Sequence, residues 1–274
     1  MTTTHSYHEV LLAARGISVT RGETVILRDL NLEIRDIKRP GVTQGQVVGL
    51  LGPSGIGKTT LFRVLAGLEA PDTGEVLLGP EARPVARGVM GVVAQNYPLF
   101  AHRTVLGNLV IAGRRSGQSG AQAEAKAREL LVQFGLEEHS RKYPAQLSGG
   151  QRQRVAIAQQ FMCSEHYLLM DEPFTGLDLI AEENLFRFIR AMAQTDERTT
   201  FIIITHDIEA AVAVADTLWL LGRDRDAEGK VIPGARVQAI YNLAERGLAW
   251  REDIMSSPDY LRLLGEIHAL FPRL

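Results

Sequence analysis

The chain has 274 residues, 45% of them hydrophobic, enough for one large domain or two compact lobes around a filled core. Lys and Arg number 30 against 32 Asp and Glu, and a formal net charge of −2 speaks against a dedicated nucleic-acid binder. Cys163 stands alone, which excludes an intrachain disulfide and suits a reducing cytoplasm; its place in an apolar helical stretch reads as an inert core thiol. No run reaches ~18 consecutive apolar residues. The nearest, 210–221, is interrupted by Asp216, and residues 1–8 lack the charged and apolar blocks of a secretory signal.

In chain order, a β-rich opening leads to Val47-Val48-Gly49-Leu50-Leu51, an apolar run of the kind that forms a buried parallel strand. Gly52-Pro53-Ser54-Gly55-Ile56-Gly57-Lys58-Thr59 then matches G-x-x-x-x-G-K-S/T at every fixed position, and residues 60–66, starting at Thr60, are good helix material. Strand, glycine turn and helix in that order form a phosphate cradle. The glycines let amide N–H groups point inward, and the helix opening near Lys58 adds its positive dipole end. Lys58 then reaches the β- and γ-phosphates and the Thr59 hydroxyl ligates Mg²⁺. The plain alternative is a chance glycine turn with a surface lysine.

Residues 96–164 read as mostly helical, with a flexible loop at 113–120 and strong helix formers from 121 to 134. Ser148, Gly149, Gly150 and Gln151 precede an amphipathic stretch with Val155, Ile157, Ala158 and Phe161, so they open a helix whose free N–H groups attract an anion. Residues 165–235 return to strand–helix alternation. Tyr167-Leu168-Leu169-Met170 ends in Asp171-Glu172-Pro173, and carboxylates at the end of a buried strand call for a cation. Mg²⁺ on ATP suits Asp171, whose alternative is to cap the next helix; Glu172 is placed to polarise an attacking water. Residues 201–205 form another central strand, ended by His206. A charged turn at 223–230 links two strands. In the tail, a helix from Pro258 carries Tyr260, Leu263, Leu264, Ile267, Leu270 and Phe271 on one face, to dock on the chain's own core or on a partner.

The phosphate loop followed by Leu147-Ser148-Gly149-Gly150-Gln151 resembles the ATP-binding cassette family over residues 10 to 235. That resemblance implies an α/β fold, a P-loop NTPase ABC-type ATPase with a RecA-like core, an antiparallel β subdomain and a helical subdomain. Residues 1–95 and 165–235 would form the core lobe with the β subdomain, 96–164 the helical subdomain, and 236–274 a C-terminal helical tail. It also implies roles. Gln95 senses Mg²⁺ and opens the lobe facing the membrane subunit, as Leu99-Phe100-Ala101-His102-Arg103-Thr104-Val105 continues the family pattern. His206 resembles the switch histidine at the γ-phosphate. Ser148 and Gly150 cap the γ-phosphate of the opposite subunit in a head-to-tail dimer, and Asp178, in Thr175-Gly176-Leu177-Asp178, couples the two sites.

ATP and Mg²⁺ are the implied cofactors. The implied partners are a second cassette (homodimer or paired subunit), transmembrane permease subunits and a periplasmic or lipid-anchored solute-binding protein, at the cytoplasmic face of the inner membrane, with no nucleic acid. Thr205-His206-Asp207-Ile208-Glu209-Ala210-Ala211 with Ala215-Asp216, and Ser257-Pro258-Asp259-Tyr260, resemble the nitrate, sulfonate and taurine uptake branch. The length is below that expected for the extra regulatory domain of sugar or sulfate importers. A soluble cassette, an exporter subunit, or a cassette that binds ATP without hydrolysing it are the rival readings. Three departures stand out. Arg21 holds the place of an adenine-stacking aromatic, with Val25 as a substitute contact. Thr-Gly replaces Ser-Ala before Leu177-Asp178. Residues 35–44 are longer than usual and read as a polar surface hairpin.

Overall fold

Each parallel strand alternates its side chains between two apolar layers, and this alternation positions everything else. The computed structural model describes residues 5–38, 45–164, 166–194, 197–249, 251 and 254–274. Its strands are β1 (Ser6–Arg21), β2 (Thr24–Lys38), β3 (Gln46–Leu51), β4 (Thr73–Leu78), β5 (Arg83–Pro84), β6 (Gly91–Val93), β7 (Tyr167–Asp171), β8 (Thr200–Thr205), β9 (Thr217–Arg225) and β10 (Val231–Asn242). They join in one sheet of order β5-β4-β1-β2-β10-β9-β3-β8-β7-β6. From β9 to β6 the neighbours are parallel; β1, β2, β4 and β5 form an antiparallel sector.

On β3, Val47 and Leu51 enter one core while Val48 and Leu50 enter the other; on β8, Phe201 and Ile203 oppose Ile202 and Ile204 in the same way. The second core is closed by α1 (Lys58–Leu65) and the antiparallel strands. The first is closed by α2 (Val105–Arg115), α3 (Gly120–Gln133), α4 (Gly149–Phe161), α5 (Leu179–Ala193), α6 (Ile208–Val214) and α7 (Pro258–Leu270). No helix among the described residues is long and apolar enough to cross a membrane.

Several boundaries differ from those read in sequence. The loop at 113–120 shrinks to four linking residues, because α2 continues to Arg115 and Ser119 starts α3 through a reciprocal cap with Gln122. Residues 35–38 of the expected surface hairpin extend β2, pairing Ile37 with Tyr7 and Lys38 with Ser6, and Ile37 is buried; 39–44 lie outside the described residues, as do 1–4. The tail expected from 236 begins inside β10, because residues 236–242 pair with β9 and satisfy its ladder. Cys163 sits in the turn after α4 and is exposed rather than enclosed in the core. The α7 stripe packs on the chain itself: Tyr260, Leu263, Leu264 and Ile267 are buried in the first core.

Candidate functional site

Because β3, β8 and β7 run parallel and adjacent, their carboxyl ends open on one edge, where ligands settle in open α/β sheets. The loop Gly52–Gly57 leaves β3 there and feeds α1. Gly57 caps that helix at φ 115°, a left-handed backbone, and a Cβ on it would lie 3.0 Å from the Ile26 side chain. A Cβ on Gly52 would lie 2.8 Å from the Leu221 carbonyl oxygen. Both positions therefore demand glycine. Pro53 is half-buried, Ser54 and Gly55 are exposed, and Ile56 anchors the loop in the core; Thr59 is exposed and Thr60 half-buried in the first helical turn.

The Lys58 side chain is 8% exposed, and its ammonium donates to the carbonyls of Gly52 (2.8 Å) and Pro53 (3.1 Å). It also stands 3.9 Å from Glu172 Oε1. Burial pushes the Lys58 pKa down, and the charges of Glu172 and Asp171 push it back up. Asp171 ends β7 half-buried; burial and then its neighbour Glu172 raise its pKa, while Lys58 opposes them. A carboxylate in this position is short of positive charge. Among the described residues no group of three His, Cys, Asp or Glu could hold a metal by itself. Mg²⁺ uses one or two carboxylates together with phosphate oxygens and water. The Asp171 carboxylate and the Thr59 hydroxyl are oxygen donors of the kind that fit Mg²⁺-nucleotide. Gln95 lies exposed just past β6, whose pairing of Val93 with Met170 sets it beside the β7 end; no hydrogen bond joins it to Asp171 or Thr59.

Glu172 takes φ 50°, a left-handed backbone that a side-chain-bearing residue holds only when its surroundings over-determine it. Here they do. Its N–H donates to the Ile204 carbonyl at 2.8 Å. One carboxylate oxygen accepts from the Thr205 hydroxyl at 3.0 Å and the His206 amide at 3.4 Å, and the other meets His206 Nδ1 at 2.9 Å. An ionised Glu172 requires the proton on that nitrogen. Thr205 was not singled out in the sequence; a hydroxyl ending the strand before His206 was the only signal.

Ser148, Gly149, Gly150 and Gln151 lie elsewhere. Ser148 caps α4: its hydroxyl accepts from the Gln151 amide at 3.3 Å, and its own amide donates to Gln151 Oε1 at 2.9 Å. The first intrahelical bond runs from Arg152 N–H to the Ser148 carbonyl, so the Gly149 and Gly150 amides precede it and point outward. These four residues line a cleft of about 800 Å³ with Gly176, Leu177 and Asp178, and none of the phosphate-loop residues, Asp171, Glu172 or His206 lines it. Asp178 caps α5 by accepting from the Ala181 amide at 2.8 Å. The phosphate loop with its carboxylates and the N-terminus of α4 thus stand apart in the chain.

Arg21 is held by Glu69, to which its guanidinium donates at 2.6 and 2.7 Å beside Arg63 at 3.0 Å; these bonds lie in the guanidinium plane and leave its faces open. After Gln95, Phe100 is exposed, whereas Tyr97 and Leu99 are partly buried against the core.

The family described as ABC transporter matches residues 39–175. The sulfate/thiosulfate import ATP-binding protein CysA of Ralstonia nicotianae is 40% identical over 228 residues, 81% of this chain and 58% of that protein. Its namesake from Synechocystis sp. is 34% identical over 257 residues, 93% of this chain and 65% of that one. The chain therefore spans less than two thirds of the length of these relatives. Among solved structures, cbiO1 from Clostridium perfringens, part of the ABC transporter complex cbiONQ, superposes with a TM-score of 0.72 at 24% identity, covering 96% of this chain and 100% of that one. A dimeric ATP-binding cassette in a post-hydrolysis state with ADP and phosphate gives 0.64 at 25% identity, covering 85% and 99%. The fold is that of ABC-type P-loop ATPases.

The Asp171 environment generates a stability test. Its raised pKa means that the folded state disfavours the ionised carboxylate, so stability is highest below the unfolded carboxylate range and is lost as pH rises through the folded value. Above the folded value that penalty is fully present. Asp171→Asn should therefore raise the Tm of the nucleotide-free protein by about 2–4 °C and abolish the extra thermal shift that Mg²⁺ adds to ATP. Calorimetry with ATP alone and with Mg²⁺-ATP reads both; an unchanged Mg²⁺ increment removes Asp171 from the metal.

Proposed function

The chain belongs to the ABC transporter family, and from that premise we propose that it is the ATP-hydrolysing subunit of an importer, working as a head-to-tail dimer beneath a separate membrane permease. The observation that carries the reading is the Glu172 carboxylate, held by His206 and Thr205 beside Lys58 at the carboxyl ends of three parallel strands. In this mechanism the loop Gly52–Thr59, with Thr60 behind it, wraps the phosphates. The Lys58 ammonium turns from the loop carbonyls to the β- and γ-phosphates. Glu172 orients a water in line with the γ-phosphorus and takes its proton, while His206 holds Glu172 and the γ-phosphate in register. Mg²⁺, when held by Thr59, Asp171 and Gln95, neutralises charge on the phosphate oxygens. Ser148, Gly149, Gly150 and Gln151 of the opposite subunit close the site, with Asp178 as the link between the two sites.

The separation of the half-sites supports the shared-site part, because the outward amides of Gly149 and Gly150 have no anion to serve within their own chain. The permease would dock on the helical subdomain near exposed Phe100, placing the subunit at the cytoplasmic face of the inner membrane. A solute-binding protein would deliver cargo from the other side. The relatives are named for sulfate and thiosulfate, whereas the stretches at 205–216 and 257–260 resemble nitrate, sulfonate and taurine uptake. The shared class is a small solute bearing an oxyanion, and the named relatives favour sulfate or thiosulfate over the nitrate, sulfonate and taurine branch. A soluble cassette or an exporter subunit is the competing reading.

Glu172→Gln should keep ATP binding and lose about 10²–10⁴ of kcat, measured as phosphate release; a wild-type rate would overturn the assignment. Ser148→Arg and Lys58→Ala subunits should each be inactive alone, and mixing them should restore part of the activity, since one site of the heterodimer then carries neither defect. A Ser148→Arg protein with normal turnover would sink the shared site. A photocrosslinker attached at Phe100→Cys should capture an integral membrane protein in native membranes, and capture of soluble proteins alone favours the soluble-cassette reading.

A further inference from the structure

Three residues from distant parts of the chain meet at the carbonyl of Pro173, the residue after Glu172. The Tyr97 hydroxyl donates to that carbonyl at 3.0 Å. The Gln153 side-chain amide donates to the same oxygen at 2.9 Å and to the Tyr97 oxygen at 2.7 Å. The bonding is closed: two amide hydrogens and one hydroxyl hydrogen are all used, and both lone pairs of the carbonyl are filled. Gln153 is 3% exposed and Pro173 is buried, so water does not compete for these bonds. Enclosure also pushes the Tyr97 pKa up to about 12, keeping the hydroxyl a donor.

The backbone at both ends of the triangle is unusual. Tyr97 takes φ 43° directly before Pro98, and Glu172 takes φ 50° directly before Pro173. Side-chain-bearing residues hold such values where neighbours fix them. Tyr97 lies two residues after Gln95, and Gln153 lies on α4, whose first turn is Ser148 to Gln151.

We propose that Tyr97 and Gln153 are positioning residues for Glu172: by gripping the Pro173 carbonyl they hold the left-handed turn that aims the carboxylate, and they make its aim depend on the placement of α4 and of the Gln95 segment. Movement of either element relative to β7 loosens the grip and turns the carboxylate away from the water. This inference rests on the ATPase reading above and adds residues that touch neither nucleotide nor metal.

Tyr97→Phe keeps the ring and removes the hydroxyl. It should lower kcat about tenfold to a hundredfold while the ATP dissociation constant and KM stay within about twofold of wild type. In nucleotide-free protein, hydrogen exchange across 172–178 should quicken several-fold, a change that needs no bound ligand. Tyr97→Phe/Gln153→Met strips both donors from the buried Pro173 carbonyl, so its Tm and its kcat should both fall below those of Tyr97→Phe. Wild-type kcat and exchange in Tyr97→Phe overturn the proposal. So does a Tyr97→Phe protein whose Tm falls while its kcat stays at the wild-type value, because the triangle then serves stability alone. If the wild-type dimer itself fails to hydrolyse ATP, the ATPase reading is what falls, and the exchange measurement still decides whether the triangle holds the turn.

Discussion

A lysine ammonium 8% exposed at the end of a buried sheet is the constraint around which this molecule is arranged. A charge taken out of water must be paired and hydrogen-bonded or it neutralises. Lys58 meets that demand with two carbonyls of the loop after β3 and two carboxylates at the end of β7. The glycines of the loop bring its carbonyls within reach. The register of β7 against β8 brings Asp171 opposite Ile204 and so sets Glu172 beside Thr205 and His206. Asp171 pays for this neighbourhood with a raised pKa, which is the ordinary signature of a site poised for a cation.

The same sheet explains why the N-terminus of α4 faces away from the phosphate loop. The helical subdomain hangs from the carboxyl end of β6 and returns through α4 to β7, packing its apolar stripe on the first core. Phe134, at the end of α3, stacks edge-on with Phe161 of α4 at 5.8 Å and with Phe188 of α5 at 4.8 Å, which ties the helical subdomain to the core. With those faces buried, the N-terminus of α4 is left pointing into the cleft beside Asp178. The Gln153 and Tyr97 side chains cross from that subdomain to the Pro173 carbonyl, next to the left-handed turn at Glu172.

Much of this was legible in the residues. The phosphate loop announces itself because backbone geometry and anion binding both demand glycine at fixed steps. The helix start at Ser148 is local as well, since the cap and the amide that donates to it lie within three residues, whereas the helix after β7 is capped by Asp178 and not by Asp171. The unbroken apolar runs at 47–51 and 201–205 identified central strands, because only strands buried on both faces dispense with alternation.

Other features depend on partners far away in the chain, and no local pattern announces them. Arg21 pairs with Glu69, 48 residues on, so its place in the pattern of an aromatic says nothing of the ion pair that holds it. Residues 236–242 became strand because β9 offered an open ladder, and Cys163 became exposed because α4 ended two residues before it. The left-handed backbone of Glu172, its grip by Thr205 and His206, and the meeting of Tyr97, Gln153 and Pro173 exist only once the strands are in register. By itself the sequence determined the local chemistry, namely which residues can bind phosphate, cap a helix or fill a core. The tertiary structure alone decided which of them meet, because hydrogen bonds and charge pairs act over a few ångströms while their members stand tens of residues apart.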